Sequence, residues 1–283
     1  MLHFEQIKQY REHTFRLKPG ARLHSREEAV EFVQERGYVH FWPITGALLP
    51  NLWTAVAGDR PVADAHDDPG HVTWGWKDSL LGQRDWYYAK LLRKKATMVS
   101  MQVIPYFYAL SENYGAYEED YLTQYEQGRL TQEAKQMYET LLKEGPLDTV
   151  ALRRASHLSS AASEARFTKA LSDLQGDLKI VPVGVTQAGA WHYAFAYDVL
   201  ARHYPEIPEQ AHAISDQAAR KKLTEAYYLS LGAAPLSELS RLFGWKTAVS
   251  QKVVEGLATE GLLVKGVEIE NQPGEWIALK TLA

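Results

Sequence analysis

The chain has 283 residues with a formal net charge of −4, 46% hydrophobic residues and no cysteine. This length predicts about two domains, or more if the units are small, with enough apolar residues for a packed core. Without cysteine, disulfides and thiolate metal sites are excluded. No apolar stretch has the length of a signal-peptide core or a membrane span, so we expect a cytoplasmic protein with no membrane partner.

The N-terminal region begins with a predicted helix over residues 25–36, where Ser25 and Glu28 have the spacing of a capping box. Gly37 ends this helix and leads directly into a predicted strand, GYVHFWPI (37–44). The following residues, 46–82, are rich in glycine and proline and predict loops.

A second strand-like segment, RDWYYAKLL (84–92), leads into KKATMVS (94–100). Ser100 is expected to cap a helix over residues 101–112, and a polar link is expected around 113–130. This first region is therefore less regular than the rest of the chain.

The middle of the chain predicts three helices and two strands. The first helix, 132–144, stops at Gly145-Pro146, and Asp148 or Thr149 can cap a short second helix. The third helix has Phe167, Ala170, Leu171 and Leu174 at helical spacing and is closed by Gly176. The strands KIVPVGV and WHYAFAY follow, joined by a turn at 187–189.

The C-terminal segment runs through the same order. A helix over 216–231 stops at Gly232, Pro235 opens a short helix, and Gly244 leads to a third helix that Gly261 ends. Two strands, LLVKGVEIE and EWIALK, complete it.

Three helices followed by a two-stranded hairpin are typical of the winged helix-turn-helix, whose third helix can enter a major groove. The sequence thus predicts an α+β, mainly helical protein with two clear winged-helix units and a degenerate third one at the N-terminus. That third unit is suggested because the helix–glycine–strand junction at Gly37 is similar to those at Gly176 and Gly261. The expected domains are 1–125, 126–205 and 206–283. Winged helices also serve as dimerisation or interdomain scaffolds, and this alternative stays open.

The negative net charge is unusual for a nucleic-acid-binding protein, but the charge is unevenly distributed. Residues 84–95 hold five basic side chains and one acidic one. Such a stripe can contact phosphates, or it can be a solvated surface. The DNA-contacting candidates are Arg93, Lys94 and Lys95, then Lys90, and on the third helices Lys169 and Lys252. Since three consecutive residues cannot all face a core, at least some of residues 93–95 reach solvent.

In the order of its segments, the chain resembles the winged-helix proteins related to bacterial DNA glycosylases that repair interstrand crosslinks, the YcaQ/AlkZ-like group. The resemblance rests on GYVHFWPI (37–44), LPNLWTAVAGDRPV (49–62), WYYAKLLRKKAT (86–97) and the tandem C-terminal units, of which the first ends in WHYAFAYDVLARHYP (191–205). It implies a protein that holds double-stranded DNA in a concave channel. Active members of the group remove bulky or crosslinking N7-alkylpurine adducts.

The catalytic motif of that family, glutamine-x-glutamine or glutamine-x-aspartate, aligns with His40-Phe41-Trp42 in this chain. Neither polar position keeps the family residue, which puts catalysis in doubt more than DNA binding. A neutral His40 could accept a proton from the attacking water. Trp42 could only donate or stack. On a strand, His40 and Trp42 would share one face, and the alternative is that both are core residues.

The segment ADAHDDPGHVTWGW (63–76) combines histidines and carboxylates that suit a metal ion. His66, Asp68 and His71 are the metal-ligand candidates. However, Asp67-Asp68-Pro69-Gly70 is also strong turn chemistry. We favour a turn on a surface loop, and the sequence implies no cofactor.

Three functions are consistent with the sequence. The first is a glycosylase-like repair protein acting on alkylated or crosslinked DNA, with His40 replacing the family glutamine. The second is a non-catalytic DNA-binding protein that recognises damage or regulates transcription. The third is a winged-helix scaffold that binds proteins. The sequence contains no phosphate-binding glycine loop, no G-x-S-x-G and no H-E-x-x-H, which disfavours nucleotide-dependent enzymes and common hydrolases.

Overall fold

The computed structural model describes residues 2–283, and it has the α+β, mainly helical composition that the sequence predicts. The helices are α1 Phe4–Thr14, α2 Arg26–Arg36, α3 Leu52–Ala57, α4 Val72–Ser79, α5 Ile104–Ala109, α6 Asp120–Glu126, α7 Gln132–Glu144, α8 Thr149–Ala155, α9 Glu164–Gly176, α10 Leu200–His203, α11 Glu206–Ala211, α12 Asp216–Leu231, α13 Leu236–Phe243 and α14 Thr247–Thr259. The strands are β1 Tyr38–His40, β2 Tyr87–Lys90, β3 Ala96–Val99, β4 Leu147–Asp148, β5 Ile180–Thr186, β6 Ala194–Val199, β7 Ala233–Pro235, β8 Leu263–Val267 and β9 Trp276–Leu279.

One order of elements occurs three times: helix, short strand, two helices, two longer strands. We call these stretches the first repeat (26–99), the second repeat (132–199) and the third repeat (216–279). Each forms its own three-stranded antiparallel sheet, with the last strand in the middle. In the first sheet, for example, Val99 on the central strand pairs with Tyr38 on one side and Tyr87 on the other.

The opening helix of every repeat begins in the same way, at a hydroxyl residue that caps it. Ser25, Thr131 and Ser215 each accept a hydrogen bond from the main-chain N–H three residues later. Such caps satisfy N–H groups that have no partner inside the helix. The helices predicted over 132–144 and 216–231 are confirmed with these bounds.

Several local predictions are wrong. Gly37 lies between an opening helix and a short strand, so it corresponds to Gly145 and Gly232 rather than to Gly176 and Gly261. In the second and third repeats, each hairpin is joined by a short third strand that the sequence did not indicate, because two or three residues give no periodicity. The corresponding strand of the first repeat, β1, lies within the predicted strand 37–44. The expected polar link holds α6.

The predicted cap at Ser100 is also wrong. The helix starts only at Ile104, after a turn, and the buried Ser100 hydroxyl has no hydrogen-bond partner.

The first and second repeats pack against each other reciprocally. The β2 strand and the turn at residues 92–94 lie on α9, while β5 lies against α4. The side chain of Gln175 accepts a hydrogen bond from the Lys90 N–H at 3.1 Å. A Cβ added to Gly82 would lie 2.5 Å from the Val183 carbonyl oxygen, so the backbones approach closely. Thus α9, the third helix of the second repeat, is covered in part by the β2–β3 hairpin, and α4, the third helix of the first repeat, is covered in part by the β5–β6 hairpin.

The third repeat joins the others through α12, which packs on α1 and α5. The Tyr38 hydroxyl donates to the Leu223 carbonyl oxygen at 2.7 Å, which ties the first sheet to α12. By contrast, α14 packs mainly on α12, α13 and β8 of its own repeat. Among residues 2–283, no helix is long and apolar enough to cross a membrane.

Candidate functional site

His40, the first catalytic candidate, is buried at the end of β1 with 1% of its surface exposed. Neither ring nitrogen has a hydrogen-bond partner among the described residues. Burial lowers the pKa of His40 to about 4, and the charges of Arg93 and Lys95 add to the shift, while the backbone of Ala96 opposes it. The imidazole is therefore neutral near pH 7, as a proton acceptor must be.

Trp42 lies beyond the end of β1, so the strand alternation that would place it on the same face as His40 does not extend to it. Its ring contacts Phe41, Trp53, His71 and Trp74, with centroid distances of 4.5 to 6.2 Å. The alternation on which the expectation of a shared face depended is therefore absent at Trp42. Trp42 belongs to an aromatic cluster instead.

Lys77, a residue that sequence reasoning missed, is enclosed by a set of rings that shares Phe41 and Trp74 with that cluster. It lies on α4, is 3% exposed, and its ammonium group is 4.4 Å from the centre of the Phe195 ring and 5.3 Å from that of Trp74. It also donates to the Tyr193 hydroxyl at 3.0 Å and pairs with Asp78 at 2.7 Å. Burial lowers the pKa of Lys77, and the Asp78 carboxylate opposes that shift. The ammonium thus bridges α4 and the β5–β6 hairpin of the second repeat.

No signal near Lys77 in the sequence could have revealed this arrangement. Trp74 is three residues away on the same helix, but Tyr193 and Phe195 are more than a hundred residues further on. The contact depends on the reciprocal packing of the first two repeats.

The basic residues 93–95 form an exposed turn between β2 and β3, as the sequence argument required of at least some of them. Arg93 and Lys94 both have positive φ angles, 52° and 55°, a region that side-chain-bearing residues rarely adopt. Arg93 donates to the Gly46 carbonyl oxygen at 2.8 Å. Lys95 forms no ion pair among the described residues.

Two of the remaining candidates, Lys90 and Lys169, lie together with Lys94 beside or on α9. Lys94 and Lys169 both pair with Asp173, and Lys90 reaches the Ser172 hydroxyl at 3.4 Å. Burial alone would raise the pKa of Asp173, but the hydrogen bonds from Lys169 and Lys94 outweigh it and lower the pKa. Lys252 lies apart from this group, exposed on α14.

Two of the three metal-ligand candidates, Asp68 and His71, make contacts within their own loop. Asp68 accepts a hydrogen bond from the Gly70 N–H at 2.8 Å and pairs with Arg60 at 2.6 Å, which confirms the predicted turn. A ring nitrogen of His71 lies 2.9 Å from the Ala63 carbonyl oxygen, and His66 is exposed. Within residues 2–283, no three histidine or carboxylate side chains converge on a common point.

A cleft of about 400 Å³ lies where the three repeats meet, and we call it the junction cleft. Its wall combines three arginines and two carboxylates with an aromatic pair. The charged residues are Arg93, Arg129, Arg220, Glu112 and Asp177. The aromatic pair, Phe243 and Trp245, is stacked with centroids 4.4 Å apart. Of the charged residues, the sequence argument had singled out only Arg93.

Comparison with known proteins adds a second line of evidence. A family model described as "AlkZ related" matches residues 23–244, which is most of the chain. Among solved structures, the Streptomyces sahachiroi DNA glycosylase AlkZ matches with a TM-score of 0.60 at 12% identity, over 99% of this chain and 70% of that one. No curated protein sequence matches.

By its fold, this chain is an α+β protein of the same class as the AlkZ structure. By its sequence, it belongs to the AlkZ-related family. The resemblance predicted from 37–44, 49–62 and 86–97 is thereby confirmed, since all three segments lie within the matched residues.

Proposed function

We propose that this protein binds double-stranded DNA through a basic surface on its first two repeats, with Arg93, Lys94 and Lys95 as the leading phosphate contacts. The order of elements and the three-stranded sheets support our further proposal that the repeats are three tandem winged helices, divided near residues 125 and 205. The single observation that carries the DNA-binding proposal is the exposed turn of three consecutive basic residues beside α9.

The charges around this turn are well placed for a polyanion. Residues 90–95 hold four basic side chains and no acidic one. Nearby Asp173 neutralises part of the charge of Lys94 and Lys169, but Lys95 remains uncommitted. Each lysine or arginine that neutralises a phosphate releases a counterion and adds about 0.9 to the salt slope of binding.

A salt titration tests this proposal. Fluorescence anisotropy with a labelled duplex would compare the wild type with the double variant Lys94→Ala/Lys95→Ala. We expect weaker binding to all duplexes alike and a slope of log K against log salt that is smaller by about 1.8. The matched control is Lys252→Ala/Lys265→Ala, which removes two exposed lysines from the third repeat.

An unchanged affinity and slope in the Lys94/Lys95 variant would make the turn merely a solvated surface. Absence of binding by the wild type at low salt would favour the scaffold function instead.

A second candidate function is release of a DNA base, as the name of the neighbour, DNA glycosylase AlkZ, suggests. The family resemblance makes N7-alkylated purines the expected bases. The observation that favours it is His40, a neutral imidazole with two unpartnered ring nitrogens. A buried polar group without a partner costs about 1–3 kcal/mol, so His40 does not stabilise the fold, and its unpartnered nitrogens support a functional role. An N7-alkylated purine is already cationic and leaves without protonation, so the protein needs only to place a water and stabilise the sugar cation.

The test is incubation of an N7-alkylated duplex with the wild type, His40→Ala and the more conservative His40→Gln, scoring alkali-labile abasic sites. Release by the wild type that is lost in His40→Ala, with duplex binding intact in both, supports a catalytic role. No release by any of them, with binding intact, leaves DNA binding as the function.

A further inference from the structure

The junction cleft has the size and the chemistry of a nucleotide site. Its volume of about 400 Å³ falls within the range of about 300–1,000 Å³ that is usual for small-molecule sites. Three of its five charged wall residues are arginines, whose planar guanidinium groups match the geometry of phosphate. The wall therefore has a net positive charge of one, and it offers an anion several N–H donors.

Most polar side chains of the cleft are already engaged within the protein. Glu112 pairs with Arg129, and Arg220 pairs with Asp216 at 3.0 Å while lying 4.9 Å from the centre of the Trp245 ring. Because each guanidinium has five N–H donors, these contacts leave donors of both arginines unused.

Asp177 is the exception among the carboxylates. It follows α9 directly and lines the cleft, yet its carboxylate makes no hydrogen bond or ion pair with any residue of 2–283. Asp177 is exposed to solvent as a residue. Partial burial of its carboxylate nevertheless raises its pKa, and the charges of Lys94 and Lys179 oppose that shift. A carboxylate is an acceptor with two oxygens, so Asp177 can receive two parallel hydrogen bonds from a ligand.

The pattern of donors on the nucleobases decides which base suits such a group. The Watson–Crick edge of guanine carries two adjacent donors, N1–H and the N2 amino group, which match two carboxylate oxygens. Adenine presents an acceptor, N1, at the corresponding position and would repel the carboxylate. A base displaced from a duplex is commonly read at this edge.

We propose that the junction cleft binds a single guanine nucleotide, with Asp177 reading the N1 and N2 donors and the arginines holding the phosphate. The inference rests on the proposed DNA binding for its biological setting, because the nucleotide would be one displaced from the bound strand. It adds a base-recognition residue, Asp177, that lies outside residues 40–42.

Calorimetric titration of the full chain with free 5′-GMP, 5′-IMP and 5′-AMP tests the proposal. We expect 5′-GMP to bind at least about tenfold more tightly than 5′-AMP, since hydrogen bonds to a charged group are strong, with 5′-IMP in between because it lacks the N2 donor. Asp177→Asn should bring the three nucleotides to nearly equal affinity. Arg129→Gln should weaken all three by a similar factor and keep their order.

The matched control is Asp85→Asn, a change at an exposed aspartate that does not line the cleft, and it should keep the preference for 5′-GMP. Equal binding of 5′-GMP and 5′-AMP by the wild type, an unchanged preference in Asp177→Asn, or no binding of any nucleotide would each overturn the proposal. Because the assay contains no DNA, those results leave the salt titration and the base-release assay unaffected. Conversely, a failure of duplex binding would not alter the nucleotide preference.

Discussion

The first two repeats and the third repeat share one order of elements but present different surfaces. In the first pair, the helices α4 and α9 are covered in part by the hairpin of the other repeat, and the β2–β3 turn carries the basic residues 93–95. In the third repeat, α14 packs only within its own repeat, apart from minor contacts, and its outer face is open. On geometry alone, α14 would therefore be the third helix most able to enter a DNA major groove.

Charge gives the opposite assignment. Residues 247–279 hold two lysines, at 252 and 265, but five glutamates, at 255, 260, 268, 270 and 275. Lys265 is paired with Glu255 at 3.2 Å. A surface of this composition repels phosphates, whereas the turn at 93–95 attracts them. The comparison teaches that repeats with one order of elements can differ in surface charge, and the DNA-binding surface that we propose follows the charge.

The largest expected effect concerns the contact that holds the first two repeats together. Lys77→Met removes the buried ammonium from its aromatic surroundings and leaves Asp78 with only the hydrogen bond from the Tyr193 hydroxyl, at 2.9 Å. We expect a loss of roughly 3 kcal/mol in the free energy of unfolding, since a desolvated cation–π contact and a buried ion pair are both lost. Urea unfolding measures it.

The exposed Lys252→Met is the control for this substitution in the third repeat, and we expect a change within about 0.5 kcal/mol there. Equal losses for the two variants would show that Lys77 does not couple the first two repeats.

A smaller effect is expected for the pH dependence of stability, to which His40 of the first repeat contributes. The folded-state pKa of His40 is about 4, below the unfolded value of about 6.5, so the unfolded chain binds a proton first as the pH falls. The free energy of unfolding is therefore unaffected by this group above pH 6.5, and it falls between pH 6.5 and pH 4 as the unfolded chain takes up the proton. Between pH 7 and 4.5 this loss amounts to about 2 kcal/mol.

Replacing His40 with methionine, which does not titrate, should reduce the pH dependence of urea unfolding by that amount. The third repeat contains no histidine, so hydrogen exchange at pH 4.5 should speed up in β1 of the wild type before it does in β7. A pH dependence that is the same in His40→Met and in the wild type would contradict the burial of His40.

The sequence predicted the two C-terminal repeats well because their signals are local. The cap at Asp148, the glycine stops and the 3.6-residue periodicity of segments such as 164–176 each depend on neighbours within one turn or two. The same signals hold in the first repeat at Ser25 and Gly37. There, however, the long connections at 41–51 and 58–71 separate the helices and hide the common order.

The candidate site was predicted only in part, and the reason is again the range of the contacts. The exposure of residues 93–95 follows from their composition. The aromatic surroundings of Lys77 combine residues of the first two repeats, and the junction cleft combines residues of all three repeats and of the segment that precedes the second one. Arg93, Asp177 and Arg220 are examples from the cleft, and no local pattern brings them together. The position of His40 was ambiguous because a three-residue strand allows either face to be buried.

Site-specific photocrosslinking tests the central claim, that DNA contacts the first two repeats rather than α14, most directly. A photoactivatable residue would replace Lys95 in one variant and Lys252 in another, each irradiated with the same labelled duplex at low and at high salt. We expect a salt-sensitive crosslink from position 95 and almost none from position 252. A strong crosslink from position 252, with none from position 95, would contradict this account and place the duplex on the third repeat.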